Sequence, residues 1–204
     1  MKHINVLLRN IPFTAEHDAP WAGVDAGVKG LFEAGIKIDR AYGDFDSVTA
    51  EDLSLFKESL ELDIVPSAKN FTDSELALLS LAELGYTAID VYGALGGRKD
   101  HELMNIQLLA HEDLRKLDIR LLNETNDIRL LPQGVHTIEA DNDKRYVSLI
   151  PLYDKTLLTL EGFKYDIQDT YVSIGRTLTV SNEFKENTVT VKTDKDILMI
   201  KSAD

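Results

Sequence analysis

The feature that most constrains the fold is a change of sequence pattern near Leu131 and Pro132. Before this point short apolar runs alternate with helical stretches, and after it short runs rich in Val, Ile, Thr and Tyr follow one another. Alternating strands and helices predict a mostly parallel sheet with helices on both faces. A succession of short strands separated by polar turns predicts a small antiparallel sandwich or barrel. We therefore predict two domains, residues 1–131 and residues 132–204.

The same pattern gives the individual elements. In the first domain it predicts strands at Ile4–Leu8, Trp21–Val24, Arg40–Tyr42, Leu62–Val65, Ala88–Tyr92 and Ile119–Leu122. It predicts helices at Asp52–Glu61, Asp73–Leu84 and His101–His111. In the second domain it predicts strands at His136–Glu139, Tyr146–Pro151, Thr156–Leu160, Leu178–Val180, Thr188–Lys192 and Ile197–Ile200.

Three polar clusters follow predicted strands of the first domain: Gly43–Ser47, Thr72–Glu75 and Gly96–His101. Loops that follow the strands of an α/β sheet converge at one edge, so carboxylates on these loops can gather there. Carboxylate oxygens are the preferred ligands of hard divalent cations, which in turn bind polyphosphates. The clusters therefore predict a magnesium-dependent nucleotide enzyme.

The first two clusters also have purely structural explanations. Asp44 and Asp46 would point to the same side of an extended loop, which is unfavourable unless a cation joins them. Alternatively, this segment is a surface turn in which Asp46 or Ser47 caps the helix near Glu51. Thr72 and Glu75 fit a capping box. The same helix start is also a possible anion site, and Lys69 just before it is placed to contact a phosphate bound there.

The third cluster is harder to explain by structure alone. Its glycines allow close approach of the backbone to a ligand, and Arg98 offers a guanidinium that matches phosphate. Asp100 and His101 stand where the next helix begins. His101 in this position is more often a cap or packing residue than a general base. The cluster matches neither the Walker A spacing nor the dinucleotide fingerprint.

Taken in order, these motifs resemble the signature of thiamine pyrophosphokinases. The resemblance rests on Gly43–Ser47, on Lys69–Leu78 and on Gly96–His101 with Asn105. Val24–Gly27, Gly162–Tyr165 and Ser181–Glu183 also fall in the family's order, so the resemblance extends over nearly the whole chain.

The resemblance implies an α/β fold: an N-terminal Rossmann-like, mostly parallel sheet with helices on both faces, followed by a small C-terminal antiparallel β-sandwich. It implies a homodimer with active sites at the subunit interface. It also implies the reaction, in which ATP gives its β,γ-diphosphate to the hydroxyl of thiamine and AMP leaves. Magnesium is the implied cofactor, and ATP and thiamine are the implied substrates.

Residue roles follow from the same resemblance. The implied catalytic residues are Asp46, Asp73, Asp100 and Arg98. The implied metal ligands are Asp44, Asp46, Asp73 and Asp100. The implied ATP and phosphate contacts are Asp44, Ser47, Lys69, Thr72, Arg98, Asp100 and His101. The implied thiamine contacts are Tyr165, Thr179, Ser181 and Asn182, where an aromatic ring suits stacking on the aminopyrimidine.

Composition excludes some function classes. The chain of 204 residues has no cysteine, which rules out thiolate catalysis and cysteine-bound zinc, and its net charge of −13 disfavours a nucleic-acid partner. No apolar stretch is long enough for a membrane span or a secretory signal, so we expect a cytoplasmic protein without a membrane partner.

Two other functions compete with the diphosphokinase. Asp44-Phe45-Asp46-Ser47-Val48 also fits the nucleophile motif of haloacid dehalogenase-like phosphotransferases, in which Asp44 would be phosphorylated. That motif normally ends the first strand of the chain, and here it does not. A non-catalytic thiamine or nucleotide binding module is the second alternative, although a pure binder has little reason to gather four carboxylates beside a phosphate.

Overall fold

The computed structural model describes residues 1–43, 64–65, 70–141 and 143–204. By its internal contacts the chain divides into two compact units, Met1–Glu124 and Thr125–Asp204. The boundary predicted after Leu131 falls later in the chain than this division. The predicted helix at 52–61 lies outside the described residues.

The first unit is built on a parallel sheet. Its strands are β1 (His3–Leu7), β2 (Trp21–Val24), β3 (Arg40–Tyr42), β4 (Ile64–Val65), β5 (Ala88–Tyr92) and β6 (Asp118–Leu122). They lie in the order β6-β5-β1-β2-β3-β4, and every pair of neighbours is parallel. The described helices are α1 (Ala26–Glu33), α2 (Asp73–Glu83) and α3 (Lys99–Leu108).

The central strands of this parallel sheet are buried. All five residues of β5 and all four of β2 are buried, as expected of strands that are covered on both faces. The structure therefore confirms the predicted α/β class, with a sheet of parallel strands in the first unit.

Helix α1 was missed because its sequence has weak helical signals. Gly27 and Gly30 lower its intrinsic helix propensity. Packing requires at least the first of them, since a Cβ at Gly27 would overlap the backbone carbonyl of Leu7 in β1.

The strand order places a reversal between β1 and β5. From β1 the chain proceeds outward through β2, β3 and β4, and then returns to pair β5 with the other side of β1. Loops on either side of such a reversal leave the sheet in opposite directions and open a crevice at the carboxyl ends of the strands.

The second unit is made of antiparallel strands. They are β7 (Asn126–Leu131), β8 (Gly134–Glu139), β9 (Tyr146–Pro151), β10 (Thr156–Glu161), β11 (Ile167–Val172), β12 (Asn182–Glu183), β13 (Thr188–Thr193) and β14 (Ile197–Ser202). Strands β12-β9-β14-β7 are neighbours in one array, and strands β11-β10-β13-β8 form a four-stranded sheet. Both arrays contribute to one apolar core, which includes Leu149 of β9, Leu158 of β10 and Val191 of β13.

The sequence did not predict every strand of this unit. It missed β7, β11 and β12, and the strand predicted at Leu178–Val180 was wrong. Val180 N–H donates to the carbonyl of Thr177, which makes a turn, and Ser181 has a left-handed φ of 55°. None of the helices in the described parts of the chain is long and apolar enough to cross a membrane.

An aromatic group packs under the first strands of the sheet. The ring of Trp21 lies 4.9 Å from that of Phe13 and 5.6 Å from that of Tyr92. The hydroxyl oxygen of Tyr92 accepts a hydrogen bond of 3.0 Å from the backbone N–H of Glu16. Burial raises the pKa of Tyr92 to about 12, so this hydroxyl stays protonated in ordinary buffers.

We expect Tyr92→Phe to lower the free energy of unfolding by about 1 kcal/mol, because the Glu16 N–H loses its acceptor while the ring packing remains. Urea unfolding followed by Trp21 fluorescence measures this, since Trp21 is the only tryptophan of the chain and contacts Tyr92. Tyr171→Phe, at an exposed position in the second unit, is the matched control. An equal, negligible shift in both variants would contradict the assigned hydrogen bond.

Candidate functional site

A cleft of about 260 Å³ opens at the carboxyl edge of the parallel sheet. It lies at the ends of β1, β2 and β5 and at the start of helices α2 and α3. Its lining consists of Leu8, Arg9, Val24, Asp25, Thr72, Asp73, Ser74, Gly93, Ala94, Gly96, Arg98, His101 and Asn105. The crevice expected at the β1–β5 reversal is therefore present.

Arg9 links the loop after β1 to the loop after β5 by hydrogen bonds. Its Nε donates a hydrogen bond of 2.7 Å to the carbonyl of Gly93, and its Nη2 donates to the carbonyl of Leu95. Gly93 and Gly96 have φ values of 80° and 83°, in the region where a side chain would be strained. Arg9 was not among the predicted site residues, although its place directly after the first predicted strand was a usable signal.

Asp25 sits in a strained conformation at the end of β2. Its φ is 47° and its ψ is −119°, and such backbone costs of order 1–3 kcal/mol and concentrates at functional sites. A Cβ at Gly43 would overlap the Asp25 carboxylate, so only glycine leaves room for it there. Asp25 was not among the predicted site residues, although it follows a strand just as Asp44 does.

The start of helix α2 presents both a cap and a buried carboxylate. Thr72 Oγ1 accepts a hydrogen bond of 3.2 Å from Glu75 N–H, which confirms Thr72 as the N-cap. Asp73, the first helical residue, lines the cleft. Its Oδ1 is buried and has no hydrogen-bond partner among the described residues. A buried carboxylate oxygen of this kind calls for a cation or a donor from a ligand.

The start of helix α3 carries an exposed ion pair. Arg98 Nη2 lies 2.5 Å from Asp100 Oδ2, and Asp100 Oδ1 accepts from His101 N–H at 3.0 Å. The hydrogen bond from Arg98 lowers the pKa of Asp100 to about 2. Arg98 and His101 line the cleft, whereas Asp100 is outside the lining and reaches it only through its pairing with Arg98.

A hydrogen bond couples the two helices across the cleft. Ser74 Oγ of α2 donates to Asn105 Oδ1 of α3 at 3.0 Å, and Asn105 Nδ2 donates to the carbonyl of Ala94 at 3.1 Å. The buried Asn105 therefore connects the start of α2 and the middle of α3 to the loop that follows β5. Since the N-terminus of a helix attracts anions, this arrangement aims two positive dipole ends into one space.

Four predicted site residues lie outside the described residues: Asp44, Asp46, Ser47 and Lys69. The structure therefore brings Thr72, Asp73, Arg98 and His101 together at the cleft, and their assigned roles stay predictions.

The predicted thiamine contacts belong to the second unit. Asn182 holds the backbone of Tyr165 through two hydrogen bonds, from Tyr165 N–H to Oδ1 at 3.0 Å and from Nδ2 to Tyr165 O at 2.9 Å. The Tyr165 side chain is 59% exposed, so its ring is accessible. Ser181 N–H donates to Ser148 Oγ, and the buried Thr179 hydroxyl donates to the carbonyl of Leu149. Tyr165 and Asn182 are thus brought together, while Thr179 is engaged in holding β9.

Comparison with protein families gives two matches. The model of the thiamin pyrophosphokinase catalytic domain matches residues 14–121, and the model of the thiamin pyrophosphokinase vitamin B1 binding domain matches residues 135–198. The chain belongs to the thiamin pyrophosphokinase family. The family predicted from the motifs is therefore confirmed.

Individual members of the thiamin pyrophosphokinase family agree closely with this chain. It is 40% identical over 195 residues to thiamine pyrophosphokinase of Bacillus subtilis, covering 94% of this chain and 91% of the relative. The crystal structure of the Bacillus subtilis enzyme superposes with a TM-score of 0.90 at 38% identity, covering 100% of both chains. A thiamin pyrophosphokinase family protein from Enterococcus faecalis superposes with a TM-score of 0.90 at 30% identity and 99% coverage of each chain.

We expect Arg98→Gln to raise the pKa of Asp100 from about 2 toward the ordinary value of 3.8, because the hydrogen bond from Arg98 is the largest cause of its depression. The stabilisation from this pair is present above the unfolded pKa and is lost as pH falls toward 2. Carbon NMR titration of the Asp100 carboxyl measures the change. Arg145→Gln, which removes a partner of Glu183 in the second unit, is the control and should leave Asp100 unaffected. An unchanged Asp100 titration in Arg98→Gln would refute the pairing.

Proposed function

We propose that this chain transfers the β,γ-diphosphate of ATP to the hydroxyl of thiamine, giving thiamine diphosphate and AMP. The observation that carries this proposal is the cleft, where two helix N-termini, Arg9 and Arg98 surround a space that also contains the buried Oδ1 of Asp73. Positive dipole ends and guanidinium groups suit a polyphosphate. Thiamine is proposed as the acceptor of the diphosphate because the chain belongs to the thiamin pyrophosphokinase family.

The residues at the cleft fit a magnesium ion. Asp73 presents a buried oxygen that lacks a hydrogen-bond partner among the described residues, and hard oxygen donors are what Mg²⁺ binds. Asp73 would hold the ion, together with Asp44, Asp46 and Asp100 as the resemblance implies. When bound, magnesium supplies a positive charge that offsets the negative charge of the polyphosphate.

The remaining chemistry belongs to the protein's own groups. The thiamine oxygen forms a bond to the β-phosphorus, the bond from the β-phosphorus to the oxygen bridging it to the α-phosphorus breaks, and AMP leaves with that oxygen. The hydroxyl proton passes to a carboxylate of the cleft that does not hold the ion. Arg98 and the start of α3 stabilise the charge that develops on the transferred group. Arg9 acts by holding the Gly93–Gly96 loop in place for the phosphates.

The finer architecture is also part of the proposal. We assign a Rossmann-like catalytic domain to the first unit, Met1–Glu124, and a thiamine-binding β-sandwich to the second unit, Thr125–Asp204. The parallel order of β1 to β6 supports the first, and the shared core of two antiparallel arrays supports the second. We also propose that the protein is a homodimer with active sites between its subunits. The molecular mass of the protein in solution tests whether it is a dimer.

Neither alternative function has support from a described residue. The haloacid dehalogenase-like mechanism depends on Asp44, which lies outside the described residues. A pure binding module would not require the strained Asp25 or the buried Asp73 oxygen at a phosphate site.

The reaction is tested by incubating the protein with ATP, magnesium and thiamine and separating the nucleotide products. AMP and thiamine diphosphate in equal amounts are expected. ADP would indicate an ordinary kinase, and inorganic phosphate alone would indicate a phosphatase, so either result would overturn the proposal.

We expect Asp73→Asn to lower kcat by at least a hundredfold, because the amide removes the negative charge that would hold the magnesium ion, without leaving a gap in packing. AMP formation at saturating magnesium measures this. Asp113→Asn, at an exposed carboxylate beside His111, is the matched control and should keep its activity. Activity of Asp73→Asn close to that of the control would remove Asp73 from the catalytic set.

We expect Tyr165→Ala to raise the KM for thiamine roughly tenfold and to leave the KM for ATP unchanged, because one stacking contact is worth on the order of 1 kcal/mol. Steady-state kinetics with each substrate varied in turn measures the two constants. Tyr171→Ala, another exposed tyrosine of the second unit, serves as control. Equal changes in both constants would assign Tyr165 a structural role instead.

A further inference from the structure

A second polar cluster lies on one face of the parallel sheet, away from the cleft. Asn5 of β1 and Asp90 of β5 are register partners, and His3 precedes Asn5 by two positions on the same strand. Because side chains alternate between the faces of a strand, these three project from the same face. The segment between β1 and β2 brings His17 onto this group. None of His3, His17 and Asp90 lines the cleft.

Both imidazole rings lie close to the same oxygen of Asp90. His17 Nδ1 lies 2.7 Å from Asp90 Oδ2, and His3 Nε2 lies 3.3 Å from the same oxygen. The other oxygen, Oδ1, faces the guanidinium of Arg120 at 3.8 Å. The Asp90 side chain is only 2% exposed. One oxygen of the Asp90 carboxylate thus faces the guanidinium of Arg120, and the other faces the two imidazole nitrogens.

The cluster contains buried polar atoms that lack hydrogen bonds. His3 Nε2 is buried and makes no hydrogen bond of acceptable geometry within the described residues, despite its proximity to Asp90. Asn5 is fully buried, and its Oδ1 likewise has no hydrogen-bond partner in that part of the chain. The Asn5 amide adjoins His17, since its Nδ2 donates to the His17 carbonyl at 3.0 Å. Buried polar atoms left in this state are costly unless a ligand satisfies them.

The spacing of the three ligand atoms suits a metal ion. One nitrogen of each histidine and one Asp90 oxygen all lie within 4.8 Å of one another. Tetrahedral zinc with ligands at roughly 2.0–2.2 Å would place these atoms about 3.4 Å apart. The separation of His3 from Asp90 already agrees with that value. His17 is 48% exposed and needs only a small outward movement to agree as well.

We propose that His3, His17 and Asp90 form a binding site for a transition-metal ion of the zinc type. Two imidazoles and one carboxylate favour zinc, cobalt or nickel over magnesium, which prefers oxygen ligands. The charge is also suitable, since Asp90 and Glu16 carry two negative charges against the one positive charge of Arg120 in the same group. A bound ion would connect the segment that contains His17 to β1 through His3 and to β5 through Asp90.

The test measures zinc binding and not activity, so it is independent of the proposed function. Protein stripped with a chelator is titrated with Zn²⁺ by calorimetry, without nucleotide and with excess Mg²⁺ to occupy the carboxylates of the cleft. We expect one equivalent of zinc and a higher Tm in its presence. His17→Ala should weaken binding tenfold to a hundredfold or more and abolish the rise in Tm, since it removes one of three ligands.

Two further variants make the result decisive. His111→Ala removes a histidine outside the cluster and should bind zinc as the unaltered protein does. His17→Gln keeps a polar side chain of similar length and should lose zinc affinity like His17→Ala, which separates ligation from folding. Absence of a zinc equivalent, or equal affinity in the His17 and His111 variants, would overturn the proposal.

Discussion

The cleft depends on strands β1 and β5 being adjacent and parallel although they are distant in sequence. Their pairing sends the loop after β1 and the loop after β5 to the same edge of the sheet, where Arg9 and Gly93 meet. Helix α3 starts from the second of these loops, and Asn105 of α3 anchors the start of α2. A shift in the register of this one strand pair would therefore separate most of the groups that line the cleft.

The local charge of the cleft differs from that of the whole chain. A net charge of −13 would repel a polyphosphate at long range. At the cleft, Arg9, Arg98 and two helix starts present positive potential at short range, where screening by salt is least effective. Carboxylates such as Asp73 and Asp25 alternate with these groups. This mixture suits a ligand that arrives as a complex of polyanion and cation.

The sequence predicted the elements that have strong periodicity and missed those that depend on tertiary contacts. Strands β2 and β5 were located to the residue, because their apolar runs, interrupted in β5 by Asp90 alone, end at Asp25 and Gly93. Helix α1 was missed because its glycines are required by packing against β1, which no local pattern reveals. The strand expected at Leu178–Val180 has β-branched residues but is held in a turn by its own backbone.

The sequence located cleft residues that stand in motifs and overlooked those that stand in none. Thr72, Asp73, Arg98 and His101 stood in recognisable motifs and meet at the cleft. Arg9 belongs to no motif, and its role follows from hydrogen bonds to a segment far along the chain. Asp25 directly follows β2, much as Asp44 follows β3 after one glycine, and it was overlooked because a lone carboxylate carries little signal. His17 lies in a segment without any known motif.

The bond from Arg9 to Gly93 joins residues that are 84 positions apart, and the bond to Leu95 joins residues 86 positions apart. Contacts of such separation form slowly, because a long loop must close before they give any stabilisation. During synthesis on the ribosome, Arg9 emerges long before its partners do. The loops that line the cleft can therefore assume their final shape only after the whole of β5 has been made.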